Sequence, residues 1–265
     1  MGKYWKILDM PACRYHRWVF EASVVLSRNR MDYSTVVSKI TPSIAKIFCL
    51  VGGNVVGTGS GFLYSKAGIM VTCDHVIEGS QSLLCRFSDE EKFYTAKIAL
   101  RDQEHDLVLL KIEDVGKRAP LACAKQEDIK VGMPILFSGF PLSLEALTNH
   151  QGVLSAIAKD AVGVVTYLID GTVNSGNSGC PLMNNKGEVI GVVNAKRRER
   201  SDLLSKVEKM QLGAVALHGV DLVEIYQALI SNVQLGIGYA VPASYIPEHK
   251  ELAEKTVRPV PPKVK

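Results

Sequence analysis

Apolar runs in this chain are short, and glycine interrupts nearly every one. Between residues 44 and 112 they read IAKIFCLVG, VGTGSGFLYS, GIMVTCDHVI, SLLCRF, FYTAKIAL and DLVLLKI. Each is too short for a typical globular helix and rich enough in β-branched residues for a strand. After Lys117-Arg118-Ala119-Pro120 the pattern resumes as PILFSGF, HQGVLSAIAKD, VTYLIDG, GCPLMNNKGEVIGVVNA and GIGYAVPA. Strands at this density each have one face to bury and edges to hide, so they close into barrels or stack as sandwiches. The spacing predicts two successive sets of about six strands joined near residues 114 to 130. Asn185-Lys186-Gly187 predicts a hairpin turn between PLM and EVIGVV.

Two stretches depart from the β pattern. Leu203, Leu204, Val207 and Met210 recur at helical spacing, and Asp221 with Glu224 resembles a capping box ahead of LVEIYQALISNV. Residues 196–235 are therefore expected to form a helical insertion in the second β half. Beyond Pro247 the chain turns charged and then proline-rich, which predicts an extended tail over 247–265.

With 265 residues and 47% apolar composition, the chain is long enough to bury a substantial core. Its net charge of +4 gives no support to nucleic-acid binding, and the run Lys196-Arg197-Arg198-Glu199-Arg200 reads as a solvated turn. No run of 18 apolar residues occurs, so no spanning helix is expected. The six cysteines lack CxxC spacing, which gives no support to a zinc knuckle or a dithiol site. Scattered cysteines and an N-terminus unlike a secretory signal point to an intracellular compartment, cytoplasmic or organellar.

The octamer NSGNSGCP, residues 174–181, puts two serines among glycines just past the run VVTYLIDGTV. A serine becomes a nucleophile when a neutral imidazole accepts its proton and a carboxylate orients that imidazole. His75 follows an apolar strand in IMVTCDHVIEG, and Asp106 opens DLVLLKI. Taken singly, each has an ordinary reading: a semi-buried histidine at a strand end, a turn residue starting a strand, a glycine-rich hairpin loop. Together they are ordered. Asp106 follows His75 by 31 residues in the first half, and Ser178 follows by 72 more in the second, so each half supplies part of one cleft. Gly176 and Gly179 let the backbone turn sharply and aim successive N–H groups at one point.

TCDHV, HDLVLLKI and VNSGNSGCPL resemble the histidine, aspartate and serine motifs of the trypsin-like serine proteases, HtrA/Deg branch. GTGSGFLYSKAGIMVTCDHVIEG and GIGYAVPASYI resemble that branch's entry to the histidine motif and its closing strand, so the likeness runs from about residue 38 to 246. The resemblance implies an all-β fold of two six-stranded antiparallel barrels and a cofactor-free, metal-free serine endopeptidase. It implies Ser178 as nucleophile, His75 as general base and acid, and Asp106 as orienting carboxylate. The oxyanion would be received at Gly176 and Ser178, with Asn177 between them. Thr172, Val193, Asn194 and Ala195 would line the specificity pocket and favour a small or medium apolar residue before the cleaved bond.

These readings divide the chain into an N-terminal arm, 1–37; a first barrel, 38–118; a second barrel, 119–246, including insertion 196–235; and a tail, 247–265, too short for a PDZ-like module. The expected partners are a polypeptide substrate, a regulatory protein at the insertion, and further copies of the chain. Family analogy suggests a trimer using Tyr4, Trp5, Tyr15, Trp18 and Phe20. Two departures stand out: Cys180 replaces a usual second glycine, and the insertion replaces a short loop. Both favour the competing reading, a latent or non-catalytic protease-fold domain that binds protein.

Overall fold

The computed structural model describes residues 32–161, 163–195, 216–217, 220–221, 223 and 237–247. The chain divides into two units, 1–35 and 36–265. In the first, the Asp32 carboxylate accepts the Ser34 N–H at 2.9 Å. The second unit holds both barrels.

Six strands build the first barrel: β1 (Ile44–Val51), β2 (Asn54–Ser65), β3 (Ile69–Cys73), β4 (Ser82–Phe87), β5 (Phe93–Asp102) and β6 (Leu107–Ile112). They close in the order β1-β2-β3-β6-β5-β4, every pair antiparallel. Alternation along β1 sends Ala45, Ile47 and Cys49 inward to meet Leu63, Met70, Phe87, Val108 and Leu110.

The second barrel comprises β7 (Pro134–Gly139), β8 (Thr148–Lys159), β9 (Val165–Asp170), β10 (Pro181–Met183), β11 (Val189–Asn194) and β14 (Ile237–Pro242). Their order is β10-β11-β14-β9-β8-β7, and pairing of β10 with β7 closes the ring. Phe137, Leu154, Tyr167, Ile169, Leu182, Ile190, Val193 and Ala240 fill it. The two sets of six strands expected from the spacing are thus present, closed into the antiparallel barrels that the resemblance implied.

The predicted hairpin joins β10 to β11. Gly187 takes φ +78°, and the Asn184 carboxamide oxygen accepts the Lys186 and Glu188 N–H groups at 2.9 and 3.0 Å. Within the insertion, β12 (Ala216–Leu217) pairs with β13 (Val220–Asp221). The Asp221 carboxylate accepts the Val223 N–H at 2.8 Å. The rest of both expected helices, the 196–200 basic run, the aromatic N-terminal arm and the proline-rich tail lie outside the described residues. Among the described residues no helix is long and apolar enough to cross a membrane.

The barrels meet along one seam. The Ser60 N–H donates to the Ser178 carbonyl at 3.0 Å, the Ser60 hydroxyl to the Gly176 carbonyl at 2.7 Å, and the Cys73 thiol to the Val193 carbonyl at 3.3 Å.

Candidate active site

His75 sits in a short 3-10 turn, Asp74–Ile77, that follows β3 directly. The residue before it, Asp74, is buried and held by a two-point ion pair: Arg101 Nε reaches Oδ1 at 2.5 Å and Nη2 reaches Oδ2 at 2.8 Å. Asp106 occupies the left-handed region at φ +55°, a conformation aspartate tolerates better than most residues. Its carbonyl accepts the Asp74 N–H at 3.0 Å. The histidine turn and the aspartate turn therefore brace each other through the backbone.

The Asp106 carboxylate accepts three bonds: the His75 N–H at 2.8 Å, His75 Nδ1–H at 2.6 Å and the Asn194 amide at 2.7 Å. Burial raises its pKa, but the bonds and charge of His75, with help from Asn194, prevail and hold the carboxyl below its ordinary range. An ionised Asp106 only accepts, so His75 carries its proton on Nδ1 and leaves Nε2 as an acceptor. Nε2 lies 2.9 Å from Ser178 Oγ. The Ala195 N–H also donates to that oxygen at 3.1 Å, so the hydroxyl proton goes to the imidazole. Ser178 is thus polarised by a continuous chain from Asp106.

The loop around Ser178 turns at Gly176, φ +92°, and Gly179, φ +87°. A Cβ at Gly179 would lie 2.1 Å from Thr72 Oγ1 and 2.2 Å from the Ser60 carbonyl oxygen; at Gly176 it would lie 2.3 Å from the Phe140 carbonyl oxygen. Only glycine lets the loop approach both barrels this closely. The Ser60 hydroxyl donates to the Gly176 carbonyl at 2.7 Å and accepts the Phe140 N–H at 2.9 Å. The Ser175 carbonyl accepts the Leu142 N–H at 2.7 Å, and a trans peptide points the Gly176 N–H the opposite way. Neither the Gly176 nor the Ser178 N–H has an acceptor among the described residues. The Asn177 N–H donates to the Asn174 carbonyl at 3.0 Å, and its side chain is wholly buried.

Residues 59–192 match the family model described as the trypsin-like peptidase domain. The chain belongs to that family. Among curated relatives, a protein of Hahella chejuensis named "Probable periplasmic serine endoprotease DegP-like" is 36% identical over 138 residues, covering 51% of this chain and 29% of the relative. A Pseudomonas fluorescens protein of the same name is 37% identical over 138 residues, covering 51% and 28%. The trypsin-like peptidase chain therefore spans under a third of the length of these relatives. A crystal structure of the serine endoprotease from Yersinia pestis shares its fold, with TM-score 0.62 and 21% identity over 86% of this chain and 67% of that one.

These relatives correct the expectation of a cytoplasmic or organellar compartment, since both are named periplasmic. Unpaired cysteines were a poor guide in this trypsin-like peptidase. Cys49, Cys73, Cys85 and Cys180 are free but buried, and burial pushes the Cys49 thiol up to about 11 and the Cys85 thiol up to about 12. Cys123, by contrast, is free and exposed, so the thiols by themselves specify no compartment.

Of the residues read as pocket wall, Thr172 is exposed, Val193 has its side chain in the second core, Asn194 reaches Asp106, and Ala195 lends its N–H to Ser178. Cys180 is fully buried against the same core, and burial pushes its thiol far up. Cys73, His75 and Asp106 bring possible metal-ligating atoms within 4.8 Å, but His75 is already hydrogen-bonded through one ring nitrogen to Asp106 and through the other to Ser178. Ser60 escaped the sequence reading as a group of the site, and that reading, which set Asn194 on the pocket wall, missed its amide's bond to Asp106. The GTGSG run marked a close approach of β2 to something, without saying to what.

Proposed function

We propose that this domain is a serine endopeptidase in which Ser178 is the nucleophile, His75 the general base and acid, and Asp106 the orienting carboxylate. The observation carrying the reading is the unbroken hydrogen-bond chain from Asp106 through His75 to Ser178 Oγ. Nε2 takes the hydroxyl proton as Oγ bonds to the scissile carbonyl carbon, and the carbonyl π pair moves onto oxygen. The Gly176 and Ser178 N–H groups receive that oxyanion, with Asn177 as the link between them; each such donor contributes roughly 3 kcal/mol in the transition state. Collapse breaks the C–N bond, and the leaving amine takes the proton from His75. Water then attacks the acyl-enzyme, gives a proton to Nε2, and the acid departs as Ser178 recovers its own.

The substrate in this reading is a flexible or unfolded polypeptide cut after a small or medium apolar residue. Support comes from Thr172, which places no carboxylate where a trypsin-like basic specificity would need one. The full division proposed is arm 1–37, barrels 38–118 and 119–246, and tail 247–265, with insertion 196–235 facing a regulatory partner and a homo-oligomer as the working assembly. The relatives' names point to a periplasmic or secreted setting. The deciding experiment is intact-mass labelling with a fluorophosphonate on the parent, Ser178→Ala and His75→Ala. One adduct on the parent and none on either variant is expected; an unlabelled, folded parent would sink the reading.

A further inference from the structure

Lys46 lies on the outer face of the first barrel, because its neighbours Ala45 and Ile47 point into the core. An outward lysine on a strand is ordinarily solvated. This one is 1% exposed. Its cross-strand partners are Ser60 on β2 and Arg86 on β4, so Arg86, Lys46 and Ser60 form a row across the sheet. The connection between β7 and β8 covers that row. Lys46 Nζ donates to the Ser143 carbonyl at 2.9 Å, the Leu144 carbonyl at 3.2 Å and Glu145 Oε1 at 2.5 Å, while Glu145 Oε2 accepts Arg86 Nη2 at 2.5 Å. The three ammonium hydrogens thus meet three oxygens of one turn, which is what a buried cation requires.

That turn needs external support. Leu142 and Ser143 take φ +53° and +59°, left-handed values that ordinary side chains rarely adopt. The Leu142 N–H holds the Ser175 carbonyl at 2.7 Å, and so orients the peptide whose N–H belongs to Gly176. A path of direct contacts runs from Lys46 to Ser143–Glu145, then to Leu142, then to the Ser175–Gly176 peptide. We infer that Lys46 is a positioning residue for the oxyanion-binding peptide. Its ammonium fixes the strained turn, and the turn fixes the direction of the Gly176 N–H. The inference rests on the reading of the previous subsection, in which that N–H receives the oxyanion.

The test measures kinact and KI for fluorophosphonate labelling of the full chain, with thermal midpoints recorded alongside, for the parent, Lys46→Met and Glu145→Lys. Methionine keeps the bulk of a buried lysine without its donors. Glu145→Lys sets a like charge against Lys46 and Arg86 from a side chain that is 67% exposed, so it disturbs the turn by a second route and removes no buried side chain. Losing one oxyanion donor outright costs about 10²–10³-fold, so misaiming it should lower kinact roughly 10- to 100-fold, with KI within about twofold of the parent. A merely structural lysine would lower the thermal midpoint and leave kinact of the folded protein alone. A kinact within about twofold of the parent in the folded variants, or a loss carried by KI, overturns the inference. An unlabelled parent is a different failure: it removes the proposed activity and the inference with it.

Discussion

Asp106 illustrates how much one side chain carries here. Three donors converge on its carboxylate, two of them from His75. Asparagine at this position would retain the shape but present an N–H where Nδ1–H now points, which favours the wrong tautomer. We expect Asp106→Asn to lower the fluorophosphonate labelling rate by roughly 10⁴-fold while Ser178 and His75 stay in place. The same carboxyl contributes to acid stability. Its folded pKa lies below the ordinary 3.8, so its contribution is present above that value and is lost as pH falls through the lower folded one. Urea titrations from pH 6 to pH 2 should show a steeper acid loss in the parent than in Asp106→Asn; equal slopes would contradict the assignment. His75, Asp106 and Ser178 were legible from short motifs because each sits where a strand meets a turn. The bond from Asn194 to Asp106 was not, since an asparagine ending a strand gives no sign of the carboxylate it will meet 88 positions earlier in the chain.

Among the elements, the 3-10 turn carrying His75 depends on its neighbour β5. Asp74 is buried, whereas Arg101 is partly exposed at 38%. The two ends of this pair should therefore respond unequally. Arg101→Ala abandons a buried carboxylate and should cost about 1–3 kcal/mol in chemical denaturation. Asp74→Asn keeps an acceptor for Arg101 and returns the cation to water, so about 1 kcal/mol or less is expected. The reverse order would mean that the ion pair does not brace the turn. The strand pattern itself was readable, because alternation and glycine breaks are local properties. The β10–β11 hairpin was equally so, from Asn185-Lys186-Gly187. The left-handed pair Leu142 and Ser143 was invisible in advance, since neither residue type favours that region and only the surrounding bonds hold it there.

At the scale of the whole molecule, the two barrels share the bonds that shape the site. Ser60 reaches Gly176, Phe140 and Ser178, Cys73 reaches Val193, and Lys46 reaches the β7–β8 connection. Unfolding either barrel would leave those buried groups unpaired in the other, which predicts a single cooperative transition. Phe137→Ala, deep in the second core, should cost about 3–5 kcal/mol and move the entire calorimetric endotherm downward. A separate first-barrel transition that stays put would show independent domains. The sequence by itself determined the two sets of strands, the hairpin between β10 and β11, and the choice of His75, Asp106 and Ser178 as a group that would meet, because short-range patterning and motif chemistry record such things. Only the tertiary structure decided which outward-facing residues would be buried. Lys46 and Ser60 stand on the solvent face of their own barrel by strand alternation, and the second barrel covers that face. Residues more than 90 positions apart become hydrogen-bond partners there, at 97 for Lys46 with Ser143 and 116 for Ser60 with Gly176, and no local pattern encodes a partner at that distance.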